Sequence, residues 1–409
     1  MKCVKCETDN NLQERTKAGG RCKNCNHPFV FDPQRGSKFT DIFFSNSIQT
    51  ISSENTLFFT PKQFWYLLER RLVPQTIPIG CLAPLSMIII LQFNIFLGLS
   101  FQILGWIKGS ILYNYESENI TIFHRCLQIS RGLIILSILS FIFYVIPVKV
   151  LIFFWLFIGF EILIMYLGME QFKKLDKLRI KSPRSLYYQQ TDINEWLKLW
   201  QEINGEVTNI LPPSREMNEP MQINSEVTAY SFDRVIVCDT AEIAQFLIAN
   251  NFHFEHNCAV LSIDGYPQNI FSTVMQMLKQ NPDLKIYAFH SATPRGVTTI
   301  NELRNSPNWF SGNNLIIYDL GLLPRHVFPS KNMWILKSDE SVEQGRQIPS
   351  EVKQTLSKDE LEWLESGFYV ELESFSPGKL LQVVSQGIAK TQAVANGYTS
   401  TSENSLDSG

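Results

Sequence analysis

Apolar residues follow three patterns along this chain, and each predicts a different kind of element. Between residues 36 and 80, Phe39, Ile42, Phe43, Phe44, Ile48 and Ile51 recur at mostly helical spacing, and a second amphipathic stretch runs from Pro61 to Leu72. Proline suits a first helical turn and Thr60 is a fitting cap, so this region predicts a small helical connector. From Cys81 to Ile107 there are 27 residues without a formal charge. A second apolar tract of 36 residues, Gly132 to Leu167, is broken by Pro147 and Lys149 and contains Glu161. Tracts this long match a hydrocarbon core of about 30 Å and predict an α-helical transmembrane region over 81–168. The second tract exceeds one straight crossing, so a kinked span and a hairpin both stay open.

After residue 230 the period changes. Short apolar runs, Arg234–Asp239, Cys258–Gly265, Lys285–His290, Leu315–Asp319 and Met333–Leu336, alternate with helical stretches such as Ala241–Asn250 and Gln268–Gln280. That alternation predicts an α/β domain with a mostly parallel sheet. Ligands meet such sheets at the carboxyl ends of the strands. Those ends carry Asp239, Asp264-Gly265, His290-Ser-Ala-Thr293 and Asp319. Cys238 and Cys258 fall inside the runs and read as core.

Composition then narrows the function. The chain has 409 residues, enough for two or three units. Its 36 basic and 39 acidic residues give a net charge of −3, without the global basic surplus of a dedicated duplex-DNA binder. Four of the eight cysteines form two Cys-x-x-Cys pairs, Cys3/Cys6 and Cys22/Cys25. Two such knuckles facing each other supply four thiolates, a closed shell for a structural zinc and not a catalytic metal. A ribbon this short depends on the metal for most of its folding free energy.

The thiolates need a reducing compartment. Lys173, Lys174, Lys177, Arg179, Lys181 and Arg184 follow the last apolar tract and fit a cytoplasmic flank. The expectation is an integral protein of the cell membrane with both soluble parts in the cytoplasm. Glu161 and Lys149 read as packing or interface residues, and Tyr187 and Tyr188 as juxtamembrane aromatics. The implied divisions are a zinc ribbon (1–35), the connector (36–80), the transmembrane region (81–168), a basic juxtamembrane helix and linker (169–229), the α/β domain with closing helices (230–390) and a disordered tail (391–409).

The order of motifs after residue 230 resembles the Toprim domain of the topoisomerase VI A-subunit type. Asp239 takes the place of a catalytic Glu, Gly265-Tyr266-Pro267 stands unchanged, Ser291-Ala-Thr293-Pro-Arg295-Gly296 occupies the Asp-x-Asp-Pro-x-Gly position, and Leu320-Gly321-Leu322 follows. Leu356–Leu361 and Tyr369–Phe375 are similar to that family's closing helices. The resemblance implies Mg²⁺ held between three carboxylates, yet hydroxyls of Ser291 and Thr293 stand where two of them belong. A hard dication needs anionic oxygens, so Mg²⁺ is not expected. The family's nucleophilic tyrosine has no convincing counterpart, and Tyr66 alone does not supply one.

The function expected from this reading is a membrane-anchored binding or scaffold protein, a pseudoenzyme with a structural zinc ribbon. The alternatives are a residual metal-dependent nuclease or topoisomerase-like activity using Asp239, Asp264 and Asp319, and a membrane-bound sensor relaying a signal from the ribbon. Asp264, Gly265, His290, Arg295 and Asp319 are the binding candidates, with Arg295 placed to face a phosphate. Expected partners are the membrane and a protein docking on the ribbon or the α/β domain; nucleic acid is implied by the resemblance alone.

Overall fold

In the computed structural model the described residues are 1–72, 107, 159, 162–163, 165–170, 183–184, 186–213, 234–268, 271–280, 284–311, 315–330 and 333–395. The chain divides into two compact units, Met1–Val73 with Leu186–Gly409, and Pro74–Ser185. In the second unit the described residues at 107, 159, 162–163 and 165–170 are helical.

Among the described residues no helix is long and apolar enough to cross a membrane. This corrects the expected transmembrane region and the membrane localisation drawn from it. Hydropathy motivated the spans, and hydropathy reports that a segment avoids water without saying what covers it; the basic flank and the thiolates bore only on which side the soluble parts would face. The tracts 81–107 and 132–167 lie, apart from Ile107, Gly159, Ile162, Leu163 and residues 165–167, outside the described residues.

In the first unit, a short helix α1 (Leu12–Lys17) belongs to the cysteine ribbon, and α2 (Asp41–Ile51) and α3 (Pro61–Leu72) follow it. Both of the latter start at threonine. The Phe43 N–H donates to Thr40 Oγ1 at 3.4 Å, and Thr60 and Gln63 exchange backbone-to-side-chain bonds of 3.0 and 3.1 Å. Such reciprocal capping satisfies donors that a helix start leaves orphaned.

A helix at Gln190–Asn204 buries Ile193, Leu197 and Trp200 against α2 and α3. Phe31 and Trp200 stack at 6.2 Å, and Phe44 meets Phe64 edge-on at 5.3 Å. The expected linker over 169–229 is therefore, in its middle, a core helix. Tyr188 packs edge-on against Trp196 at 5.3 Å and belongs to this cluster, while Tyr187 is exposed. The basic run over 171–182 and the segment 214–233 lie outside the described residues.

Strands β1 (Arg234–Cys238), β2 (Ala259–Ser262), β3 (Lys285–Phe289) and β4 (Ile317–Asp319) form a parallel sheet in the order β2-β1-β3-β4. Helices Ala241–Ala249, Phe271–Gln280 and Thr299–Asn305 connect them. Val235–Cys238 and Ile286–Phe289 are buried without alternation, which is why they read as continuous apolar runs: both faces of the sheet are covered. Cys238 and Cys258 are buried, as expected for core residues. Successive strands add on opposite sides of β1, so the order reverses between β1 and β3. The crevice at their carboxyl ends is the switch point where α/β sheets receive ligands.

Three local expectations differ. Of Met333–Leu336, Leu336 alone is in a strand: β5 (Leu336–Lys337) pairs antiparallel with β6 (Phe368–Tyr369), apart from the main sheet. The segment expected as a second closing helix, 369–375, is that strand followed by a 3-10 turn at Leu372–Ser374. Val370 and Ala292 exchange N–H···O bonds of 3.0 and 3.1 Å, which hold the chain extended. The helix Pro377–Ala395 runs into the expected tail, and residues 396–409 lie outside the described set.

The Leu320-Gly321-Leu322 motif has a packing reason. A Cβ on Gly321 would collide with the His290 ring. Overpacking of this kind costs about 1–3 kcal/mol, so Gly321→Ala is expected to lower the unfolding free energy measured in urea by that amount, with the ring of His290 displaced.

Candidate functional site

The cysteine ribbon is built twice from the same turn. Glu7 N–H donates to the Cys3 carbonyl at 2.9 Å and Asn26 N–H to the Cys22 carbonyl at 3.0 Å, with Glu7 and Asn26 both at φ 57. Each turn directs its two sulfurs inward. The four Sγ atoms of Cys3, Cys6, Cys22 and Cys25 lie within 4.8 Å of one another, with Cys3–Cys25 and Cys6–Cys22 each at 3.6 Å. Buried Asn10 clamps the knuckles together: its Nδ2 donates to the Thr8 carbonyl at 2.8 Å and to Cys22 Sγ at 3.5 Å, and its Oδ1 accepts from Lys23 N–H at 2.8 Å. Burial pushes the Cys3 thiol up to about 12, whereas the hydroxyl and N–H of Thr8 bring Cys6 down to about 6. Four thiols this close cannot all ionise without a cation among them, and the arrangement could hold a metal ion.

The second site lies at the β1/β3 switch point. Asp239, directly after β1, is 3% exposed, and its Oδ2 accepts the Ser291 N–H at 2.8 Å. Desolvation raises its pKa, and no hydrogen-bond partner reaches its Oδ1. Each of the two hydroxyls accepts one backbone N–H. Ser291 Oγ accepts from Leu372 N–H at 3.3 Å, and Thr293 Oγ1 accepts from Gly296 N–H at 2.8 Å.

His290 is buried between two acceptors, the Ser291 carbonyl at 3.0 Å from Nδ1 and Asp319 Oδ1 at 3.1 Å from Nε2. Both neighbours are acceptors, an arrangement that favours the protonated ring. Desolvation opposes that charge, but the Asp319 carboxylate outweighs it and raises the pKa. Asp319, also bonded by the Gly321 N–H at 2.8 Å, is correspondingly lowered despite its own desolvation.

Asp264 and Arg295 form an exposed ion pair, so Arg295 is committed to a carboxylate and not left to face a phosphate. Gly265 supplies the left-handed turn (φ 83) between β2 and Tyr266-Pro267, whose peptide bond is cis.

Sequence reasoning missed the residues that complete the site. Residues Lys62 and Tyr66, one turn apart on α3, both reach Glu371: Lys62 Nζ is 2.6 Å from Oε1, and the Tyr66 hydroxyl donates to Oε2 at 2.6 Å. Arg70 on the same face donates to the Ser374 carbonyl at 3.0 Å. Glu373 is buried beside them. Lys62, Glu371 and Glu373, together with Asp239, Ser291, Thr293 and Arg295, line one cleft of about 850 Å³ that residues between 190 and 213 also border. The alternating Glu371-x-Glu373 within 369–375 was the available signal, since such a spacing on an extended segment behind a strand end is not a helix face. Nothing local to α3 marks Lys62.

Burial pushes the Glu373 carboxyl up to about 7, with Glu371 and Asp239 adding to the shift and Lys62 opposing it. Glu373 and His290 both hold protons more tightly in the fold than at their ordinary values of 4.5 and 6.5. The folded state then binds the extra proton, so stability falls as pH rises. The Glu373 contribution is lost between pH 4.5 and about 7, and that of His290 as pH climbs from 6.5 through its raised value. Measured against Glu373→Gln at matched pH, the urea midpoint of the natural chain should fall between pH 4.5 and about 7 and the difference should stay constant above that.

No protein-family model and no curated protein matches this chain.

Proposed function

We propose that this protein is a zinc-bearing binding module whose Toprim-like domain does no metal-dependent strand chemistry. The observation that carries this reading is the fate of the three strand-end positions. Asp239 accepts a backbone N–H from Ser291, and Ser291 and Thr293 accept backbone N–H groups in turn. Groups that a Mg²⁺ site would aim at the ion serve here to tie β1, β3 and the 370–374 segment together. A hard cation also keeps several oxygens in near-octahedral array, and among the described residues the four cysteines form the one group of three or more His, Cys, Asp or Glu side chains placed to share an ion.

For the ribbon, zinc is the metal the donor set favours. Zn–S bonds near 2.3 Å in a tetrahedron place sulfurs about 3.8 Å apart, close to the 3.6 Å contacts of both cross-knuckle pairs. Four thiolates leave no position for substrate, which makes the metal structural. The domain resemblance rests on the sequence motifs Gly265-Tyr266-Pro267 and Pro294-x-Gly296 alone, and it enters this reading as a proposal about ancestry, not as a reaction.

The test is a nicking assay of the zinc-loaded full chain on supercoiled DNA with millimolar Mg²⁺. The expected result is no cleavage above that of Asp239→Asn; cleavage that this substitution abolishes would overturn the reading.

A further inference from the structure

The cysteine ribbon is a basic island on an acidic chain. Residues 1–38 hold eight basic side chains against four acidic ones, while residues 39–409 hold 28 against 35. Three of the four ribbon acids are already paired: Asp9 with the N-terminal ammonium at 2.7 Å, Glu14 with Lys23 at 2.7 Å and Asp32 with Arg15 at 3.1 Å. Lys2, Lys5, Lys17, Arg21, Arg35 and Lys38 are exposed and meet no carboxylate among the described residues. Against those six cations stands one exposed acid, Glu7. A zinc ion held by four thiolates leaves two negative charges at the centre, which the surplus outside exceeds.

Two of the six cations are held in place. The Arg35 guanidinium, at the end of the 3-10 turn Pro33–Arg35, lies in the space that a Cβ on Gly20 would take. Gly20, at φ 82, is fixed there by its N–H on the Arg15 carbonyl at 2.8 Å and by its own carbonyl, which accepts the Phe29 N–H at 3.0 Å. Arg21 is the next residue, and its Nη1 donates to the Asn26 carbonyl at 3.1 Å. Lys17 ends α1 three residues before Gly20, which keeps their Cα atoms within about 11 Å of each other. Three cations therefore gather at one turn, and two of them are guanidiniums pinned by the backbone with most of their N–H donors unspent. Like charges held together without a counter-charge repel one another, and an anion laid across them removes that cost.

The rest of the ribbon surface selects the anion. A protein partner needs an apolar centre to its docking patch, and within residues 1–38 Leu12 is the one exposed large apolar side chain. Phe29 and Phe31 are buried, so the ribbon offers no phenyl face on which unpaired bases could stack. What remains is charge alone, the kind of surface that meets the phosphodiester backbone of a duplex, and a guanidinium fork matches two phosphate oxygens at once. The acidic remainder of the chain repels such a backbone and confines the contact to the ribbon. A local patch of this kind needs no global basic surplus.

We propose that the ribbon binds the sugar–phosphate backbone of duplex DNA, without reading its bases, through Arg21, Arg35 and Lys17, with Lys2, Lys5 and Lys38 adding to the attraction. The assignment rests on the binding-module reading above and names a partner for that module. The α/β domain takes no part in the contact, and no bond is made or broken.

Fluorescence anisotropy of a short labelled DNA duplex, titrated with the zinc-loaded full chain at low and rising NaCl, tests it. The expected result is saturable, sequence-independent binding whose logarithm falls against log salt with a slope of about −3 to −5, roughly 0.9 for each phosphate that three to six cations neutralise. Arg21→Gln with Arg35→Gln should weaken binding at least tenfold and make the slope shallower by about 2. Lys17→Gln alone removes an exposed side chain that makes no ion pair; it should weaken binding about threefold, and it reports independently should the double variant fold poorly. Lys279→Gln with Lys358→Gln, which removes two exposed lysines of the α/β domain, should change nothing. Absence of saturable binding, or equal weakening by that control pair, would overturn the proposal. So would polyglutamate competing for the ribbon as well as the duplex does, since the partner would then be an acidic polypeptide. The nicking assay separates the two readings: no anisotropy change and no nicking removes the DNA partner and leaves the binding module, whereas Asp239-dependent nicking overturns both.

Discussion

Stripping the metal from the ribbon, or replacing Cys22 by Ser, is expected to unfold residues 1–28 while the parallel sheet keeps its amide protection. On the zinc reading proposed above, the metal is worth about 10–16 kcal/mol of apparent folding free energy, and little else in the ribbon replaces that. Its buried apolar set is Cys3, Cys22 and Phe29; of its buried polar contacts, the Asn10 clamp bridges the two turns that hold the sulfurs, and the Arg15–Asp32 pair at 3.1 Å ties α1 to the segment after them. Phe31 lies in the helical core beside Phe39 and Phe44, at 4.7 and 4.9 Å, so loss of the ribbon should loosen α2 as well. Hydrogen exchange with and without a strong chelator checks both: the amides of 1–28 become unprotected, those of α2 partly so, and those of β1 and β3 do not change. Retention of ribbon protection in the chelated protein would mean that packing and not metal holds the two turns.

Lys62→Met carries the second large effect. The lysine is paired with Glu371 and opposes the upward shift of Glu373. Desolvation works against its charge, but Glu373 and Glu371 outweigh it and hold the ammonium above its ordinary pKa. Removing one member of a buried pair leaves the other uncompensated, at a cost of about 3–5 kcal/mol. Lys62 retains 29% side-chain exposure, which places the expected loss near the lower end, about 3 kcal/mol. In Glu371→Gln the same substitution should cost much less, and a double-mutant cycle in urea measures the difference. A loss confined to about 0.5 kcal/mol in both backgrounds would show the pair to be an ordinary surface contact.

How much of this was readable beforehand depends on whether a signal was local. Cys3/Cys6 and Cys22/Cys25 announced themselves because a metal shell imposes short fixed spacings. The strands β1 to β3 were legible because the part of a sheet covered on both faces demands unbroken apolar runs, and the order of acids and hydroxyls at their ends located the site. Lys62, Tyr66 and Glu371 were not, because their encounter joins α3 to a segment some 300 residues later and depends on how two elements dock. The helix Gln190–Asn204 was hidden for a related reason: with Ile193, Leu197 and Trp200 as its buried positions, its narrow apolar stripe is lost among polar residues. Asp319 and His290 were marked singly as strand-end residues, but their pairing needed the β3/β4 register, Ala288 opposite Asp319. The apolar tracts misled in the other direction, since their hydropathy was taken to name a surrounding that hydropathy does not specify.

The central claim is that the carboxylate and hydroxyls at the β1 and β3 ends are spent on backbone donors and hold no divalent cation. Titration of the zinc-loaded full chain with Mn²⁺, followed by the electron paramagnetic resonance of the free ion, tests it most directly. The account predicts a signal that rises in proportion to added Mn²⁺, the same for the natural chain and Asp239→Asn. One tightly bound Mn²⁺ per chain, lost in Asp239→Asn, would contradict it.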